Sequence, residues 1–263
     1  MQATIWGCRG SLATPGETTL RYGGNTTSVE VRTGSGRLVV LDAGTGIRRL
    51  GLSLAAERPR QVDLLLTHMH LDHVEGLGFF APLLDPECTV TVWGNGPGLR
   101  ERIAAYLSPP LFPIEHDRIP ARIEVHEVAA ESWSLDELVV SAAAVQHPGG
   151  ALGFRLEEAG RTLAFIPDNE LGLDPESGLE LAAGVDVLLH DAQYTEQEYG
   201  TRVGWGHTSL DHFAQLVRRA APKRAVMFHH DPAHDDATLE SMERTACELV
   251  GARVELAAEG LRL

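Results

Sequence analysis

The sequence predicts an α/β fold in which β-sheets are sandwiched between helical layers, and three observations carry that prediction. Short runs rich in Val, Ile and Leu recur from one end of the chain to the other. Segments with apolar residues spaced three and four apart lie between them, the signature of amphipathic helices. The 263 residues, 43% of them apolar, can fill a substantial core, and a chain of this length fits one domain spanning 1–263.

Taken in order, the runs at 27–31, 37–41, 62–67 and 89–93 read as strands, with helical periodicity at 47–57 and 99–107. Further strands are expected at 138–145, 163–166, 185–189 and 225–228, and helices at 209–221 and 238–250. Strands follow one another through short Gly-rich turns in the first half and alternate with helices in the second, which implies sheets covered by helical layers. The stretch 108–120, SPPLFPIEHDRIP, has four prolines and no period. It reads as an irregular loop that covers a site or forms a homodimer contact.

Charge narrows the partners. With 22 basic and 37 acidic residues the net charge is −15, so the averaged field repels nucleic acid and anionic membranes. The three cysteines, Cys8, Cys88 and Cys247, are odd in number and far apart, which suits neither a disulfide framework nor a cysteine zinc site. A reducing, cytoplasmic setting is expected, since no leader-like segment or long apolar span stands out.

The chemistry concentrates after the third predicted strand, in Thr67-His68-Met69-His70-Leu71-Asp72-His73. Four metal-capable side chains follow an apolar run that ends abruptly. His68 and His70 have the period of an extended segment and can point one way, while Asp72 and His73, at the turn into a helix, can reach a second ion. A solvated or core-satisfied cluster would instead leave several polar rings at the end of a buried strand without partners. Two zinc-like ions need more ligands than one loop gives, and three other strand ends supply candidates: His147 after 139–146, Asp168 after 163–167, and His229 or His230 after 225–228. Asp42, in Leu-Asp-Ala-Gly-Thr-Gly, reads as a residue that orients a metal-loop histidine rather than a ligand. His207, in Gly204-Trp-Gly-His-Thr-Ser, stands just before a helix, where a start position capped by Thr208 or Ser209 is the plain alternative to a chemical role.

These residues resemble the metallo-β-lactamase-fold hydrolases, and more closely the branch of tRNase Z and the cyclic phosphodiesterases. THMHLDH resembles the metal loop of that family, LDAGTGI its preceding strand and turn, and HDAQY and GWGHTS two elements of the phosphodiesterase branch. The resemblance covers nearly the whole chain and implies a four-layer αββα sandwich of two mixed sheets flanked by helices. It also implies two divalent ions, zinc or else manganese or iron. His68, His70 and His147 would hold one, Asp72, His73 and His229 the other, and Asp168 would bridge them. His207 would protonate a leaving group, oriented by Asp191.

The reaction so implied is attack of a metal-activated hydroxide on a phosphodiester. Two ions bring a charge of about +4, which Asp72, Asp168 and the hydroxide reduce to about +1, so an anionic substrate is drawn to the site despite the acidic whole. Two departures from tRNase Z favour a small, cyclic phosphodiester over folded RNA. Only about twenty residues separate His147 from Asp168, too few for a tRNA-gripping arm, and no basic stripe is present. The competing readings are a lactone, thioester or β-lactam hydrolase on the same centre, a metal-holding protein without hydrolytic activity, and a tRNA 3′-processing endonuclease.

Overall fold

The computed structural model describes residues 1–263. Its first sheet has the order β1 (Gln2–Gly7), β2 (Ser28–Arg32), β3 (Leu38–Leu41), β4 (Gln61–Leu66), β5 (Thr89–Asn95) and β6 (Arg122–Val128). The first three strands are antiparallel and β3 to β6 parallel. The second sheet runs from β13 (Glu255–Leu256) through β12 (Arg224–Phe228), β11 (Val187–Asp191), β10 (Arg161–Ile166), β9 (Ala151–Glu158) and β8 (Leu138–Val145) to β7 (Ser132–Leu135). Its strands β10 to β13 are parallel, and the others antiparallel.

Three apolar layers hold the sheets and helices together. Between the sheets Ile5, Val29, Leu41 and Leu65 face Phe154, Phe165 and Phe228. The rings of Phe165 and Phe228 meet edge to face with centroids 5.6 Å apart. Truncating either to Ala would cost about 3–5 kcal/mol, from the burial lost and the cavity left behind. Outside the first sheet, α1 (Gly46–Ser53) and α3 (Leu99–Tyr106) bury Ile47, Leu50, Leu99 and Ile103. Outside the second, α6 (Leu210–Ala220) and α7 (Asp236–Val250) bury Phe213, Leu216, Leu239 and Met242. The layers are therefore helix, sheet, sheet, helix, the four-layer αββα arrangement.

All eight strands and four helices expected from the sequence are present, with shifted ends. The first helix stops at Ser53 rather than 57. Arg58 takes a left-handed conformation (φ 48°) before Pro59, and a residue preceding proline is driven from helical geometry. Strands β1, β6, β7, β9 and β13 lack an uninterrupted apolar run. β6 is half-exposed at its sheet edge and reads RIEVHEV, so edge position rather than burial sets its composition. Between His147 and Asp168 the chain holds only β9 and β10 and their tight turns, so no extended arm is inserted there.

The 108–120 loop forms turns and a single 3-10 turn at His116–Arg118. Phe112 packs against Gly78 and, with centroids 6.1 Å apart, against Phe79, in the segment just past the metal loop. No helix is long and apolar enough to cross a membrane.

Candidate metal centre

Strand direction builds the site. β8, β10, β11 and β12 point the same way in one sheet, and β3 and β4 bring their own ends to the same edge of the other. Each loop that leaves these ends carries one or more of the predicted residues. The backbone ties the two sheets there, with the Leu152 N–H donating to Thr67 O at 3.0 Å.

After β4 the chain stays extended through His70 (φ −64°, ψ 152°) and then turns into α2 (Leu71–Val74), which buries Asp72 and His73. The structure brings all seven predicted ligand residues together. His68, His70 and His147 offer ligand atoms within 4.8 Å of one another; so do Asp72, His73 and His229, and so do His68, His73 and Asp168. Asp168 lies between the groups: Oδ2 is 3.1 Å from His73 Nε2, and Oδ1 is 3.4 Å from His229 Nε2 and 3.8 Å from His147 Nε2. His229 faces the cluster, with Nε2 3.1 Å from Asp72 Oδ2. His230 does not: its Nε2 donates to Ala257 O at 2.9 Å on the far side.

The surrounding groups fix which nitrogen of each ring faces inward. His73 Nδ1 donates to Asp42 Oδ2 at 2.8 Å, His147 Nδ1 to Gly206 O at 2.9 Å, and His229 Nδ1 to Gln193 Oε1 at 2.8 Å. An oxygen acceptor at Nδ1 leaves the Nε2 lone pair aimed at the centre, as a metal ligand requires. Asp42 thus has the orienting position read from the sequence. It is fully buried and also accepts from the Thr67 N–H at 2.8 Å and the Thr67 hydroxyl at 2.9 Å.

A divalent cation fits this donor set. His68 Nε2, His73 Nε2 and Asp168 Oδ2 are buried with no hydrogen-bond partner. The close approaches of His73 Nε2 to Asp72 and Asp168, at 3.2 and 3.1 Å, lack hydrogen-bond alignment, so neither carboxylate satisfies the ring nitrogen. Buried polar atoms rarely stay unpaired, and one cation would satisfy several at once. Burial beside the other rings pushes the His68 imidazole well below its ordinary value, keeping it neutral, as ligation needs.

His207 stands at the rim. Its Nδ1 donates to Asp191 Oδ2 at 2.9 Å, and its ring stacks on His229 with centroids 4.9 Å apart. Burial opposes a charged ring, but the Asp191 carboxylate overcomes it and holds His207 at about 8. Asp191 is itself fixed by the N–H groups of Asn169 at 3.2 Å and Gln193 at 3.0 Å. Ser209, not Thr208, caps α6.

Three supporting residues escaped the sequence reading. Gln193 orients His229, the backbone N–H of Ser11 donates to Asp72 Oδ2 at 2.7 Å, and Glu170 anchors the loop before His207. Glu170 accepts from Tyr199 Oη at 3.1 Å, Gly204 N at 2.6 Å and Gly206 N at 2.7 Å. Gln193 lies within the HDAQY segment already singled out; Ser11 acts through its backbone N–H and Glu170 through a carboxylate that grips mainly backbone donors, and neither leaves a motif.

The model of the Beta-lactamase superfamily domain matches residues 37–230. The chain belongs to this superfamily. Within the superfamily it is 26% identical to a ribonuclease Z of Mycobacterium bovis over 261 residues, covering 87% of this chain and 88% of the relative. The metallo-β-lactamase fold protein YhfI from Bacillus subtilis superposes with a TM-score of 0.77 at 14% identity, over 100% of this chain and 98% of that one. A diphosphatase from the PhnP family superposes with a TM-score of 0.73 at 21% identity, over 100% and 96% of the two chains. The protein is a metal-dependent hydrolase with a metallo-β-lactamase fold.

Proposed function

We propose that the chain, acting as one 1–263 domain, is a phosphodiesterase that hydrolyses a small phosphodiester, with a cyclic ribose phosphate or nucleotide as the preferred form. In this reading His68, His70 and His147 would hold one divalent ion and Asp72, His73 and His229 a second, with Asp168 as the ligand available to either. Zinc suits the imidazole-rich donor set, and manganese or iron is compatible with it. The observation that carries the reading is the His207–Asp191 pair at 2.9 Å, set against the cluster and facing open space. A hydrolase acting on an acyl carbon through metals alone has less use for a buried, carboxylate-oriented acid at that place.

Bound ions supply an activated water and withdraw charge from the phosphoryl group. The protein's own groups do the rest. Asp191 holds the protonated His207 ring through Nδ1, leaving the Nε2 proton for the departing oxygen as the phosphorus–oxygen bond breaks. The Asp191 carboxylate favours the protonated form of the His207 ring over the neutral one. His229, stacked on the same ring, and Tyr194, edge-on at 5.8 Å, fix its plane.

A small substrate is favoured over RNA by the short His147–Asp168 connection and the net charge of −15. The ribonuclease Z relative favours a nuclease, and experiment separates the two. The protein is assayed with bis-p-nitrophenyl phosphate, 2′,3′-cyclic nucleotides, a chromogenic β-lactam, a lactone, a thioester and precursor tRNA. Turnover of the phosphodiesters is expected to dominate. In His207→Ala the cyclic nucleotide, which must expel a ribose alkoxide, is expected to lose about 10²–10⁴-fold in kcat, and the p-nitrophenyl ester far less, because its leaving group needs no acid. Equal losses for both esters, or faster turnover of an acyl substrate, would overturn the proposal.

A further inference from the structure

Beside the histidine cluster lies a cavity of about 420 Å³, in the size range of small-ligand sites, lined by Ser11, Tyr194, Arg202, Trp205, His207 and Asp231. Two of these residues tie it to the proposed centre: His207 by its ring, and Ser11 through the N–H that donates to Asp72. Arg202 is the one arginine or lysine in the lining, and the other basic side chain there, His207, is held by Asp191. Its guanidinium carbon sits 5.0 Å from the centroid of Tyr194 and 5.9 Å from that of Trp205. The acidic side chains nearby are engaged elsewhere. Asp191 holds His207, Glu198 accepts from His234 Nε2 at 2.8 Å, and Asp231 accepts from Gln193 Nε2 at 3.2 Å and the Ala233 N–H at 2.8 Å.

An arginine laid against two aromatic rings is positioned in advance, and its donors stay free because rings accept no strong hydrogen bonds. The backbone reinforces this. The Arg202 N–H donates to Tyr199 O at 2.8 Å, Trp205 N–H to Arg202 O at 3.0 Å, and Glu170 clamps Gly204. In a protein of net charge −15, a preorganised guanidinium without a carboxylate partner beside a reaction centre has the character of an anion receptor.

We propose that Arg202 binds a second anionic group of the substrate, of the phosphate or carboxylate kind, while the scissile phosphodiester lies at the histidine cluster. The second half of that statement rests on the phosphodiesterase reading; the first does not. The substrate class is accordingly a small phosphodiester with at least two anionic groups.

Adenosine 5′-monophosphate and adenosine 3′,5′-bisphosphate, which differ by one phosphate, are titrated into the metal-loaded protein by calorimetry, with tryptophan fluorescence as a second signal. The bisphosphate is expected to bind about 10-fold or more tightly, the scale of one charge-assisted pair. In Arg202→Ala and Arg202→Gln that ratio is expected to fall to about 2 or less, with Arg202→Lys between, since lysine keeps the charge and loses the fork. Melting curves identify any variant that does not fold, and the second neutral variant then carries the test. Equal binding of the two nucleotides by the wild type, or a ratio unchanged in the neutral variants, overturns the proposal. Hydrolysis of bis-p-nitrophenyl phosphate, measured alongside, keeps the two readings apart. An Arg202-dependent ratio without hydrolysis sinks the reaction and leaves the anion site; hydrolysis with an Arg202-independent ratio does the reverse.

Discussion

Asp42 shows how much of this site rests on single atoms. It adopts the left-handed conformation at φ 58°, tolerated by Asp and Asn and disfavoured for most residues, and is wholly buried while receiving three hydrogen bonds. Asn at this position keeps the shape and the backbone preference but turns one acceptor into a donor. If that donor faces His73, the ring must move its proton to Nε2 or lose its partner, and either change spoils the inward lone pair. Asp42→Asn is therefore expected to weaken metal binding about 10–100-fold, measured by competition with a chromophoric chelator, with the far-ultraviolet circular dichroism unchanged. Unchanged affinity would show that His73 does not depend on Asp42. At this scale the sequence was legible wherever a residue type is itself the signal, as with His68, His70, Asp72 and His73. It left two candidates where a neighbour decides, as between His229 and His230, and only the family resemblance favoured His229. Those two side chains are identical in chemistry, and only the left-handed turn at His229 (φ 60°) and the Ala257 carbonyl beside His230 separate them.

At the scale of elements, the loop from Gly200 to His207 does two tasks through one clamp. Glu170 grips Gly204 and Gly206, Gly206 presents its carbonyl to His147, and the next residue is His207. Gly206 has φ 94°, and a Cβ there would lie 2.3 Å from His147 Nδ1 and 2.5 Å from Pro148 Cδ. Gly206→Ala must therefore shift the loop, withdrawing the acceptor from His147 and displacing His207 together. A fall in kcat/KM of about 10²-fold or more is expected, since misplacement of about an ångström has that effect. The melting temperature should drop only modestly, because the loop lies outside the apolar layers. A variant that melts like the wild type and retains full activity would refute the clamp. The elements themselves were legible in proportion to burial. β3 and β4, covered on both faces, announce themselves as Leu- and Val-rich runs. β6 and β7 lie at the edges of their sheets, where charged and polar residues are mixed in. Clamps such as Glu170 use backbone donors, which no side-chain pattern records.

Across the whole molecule, the question is how a chain of net charge −15 relates to relatives named for cutting RNA. The long-range field and the site oppose each other. The field repels any polyanion at distances up to a Debye length of about 8–10 Å at moderate salt, whereas the proposed ions and Arg202 attract one or two anionic groups at contact. A small phosphodiester samples only the contact region, while an RNA must lay many phosphates across the acidic exterior. Nucleic-acid affinity built on phosphate contacts falls about 10³–10⁵-fold between 50 and 200 mM salt for six to ten contacts. Two salt titrations test the contrast. For a 2′,3′-cyclic nucleotide, kcat/KM is expected to change less than about 3-fold across that range. For precursor tRNA, binding at 150 mM salt is expected to be no tighter than the nonspecific range of about 10⁻⁴–10⁻⁶ M, with no cut at a unique position. Cleavage of precursor tRNA at one site with nanomolar affinity at that salt would show that a local surface overrides the global charge, and would replace the small-substrate assignment with a nuclease.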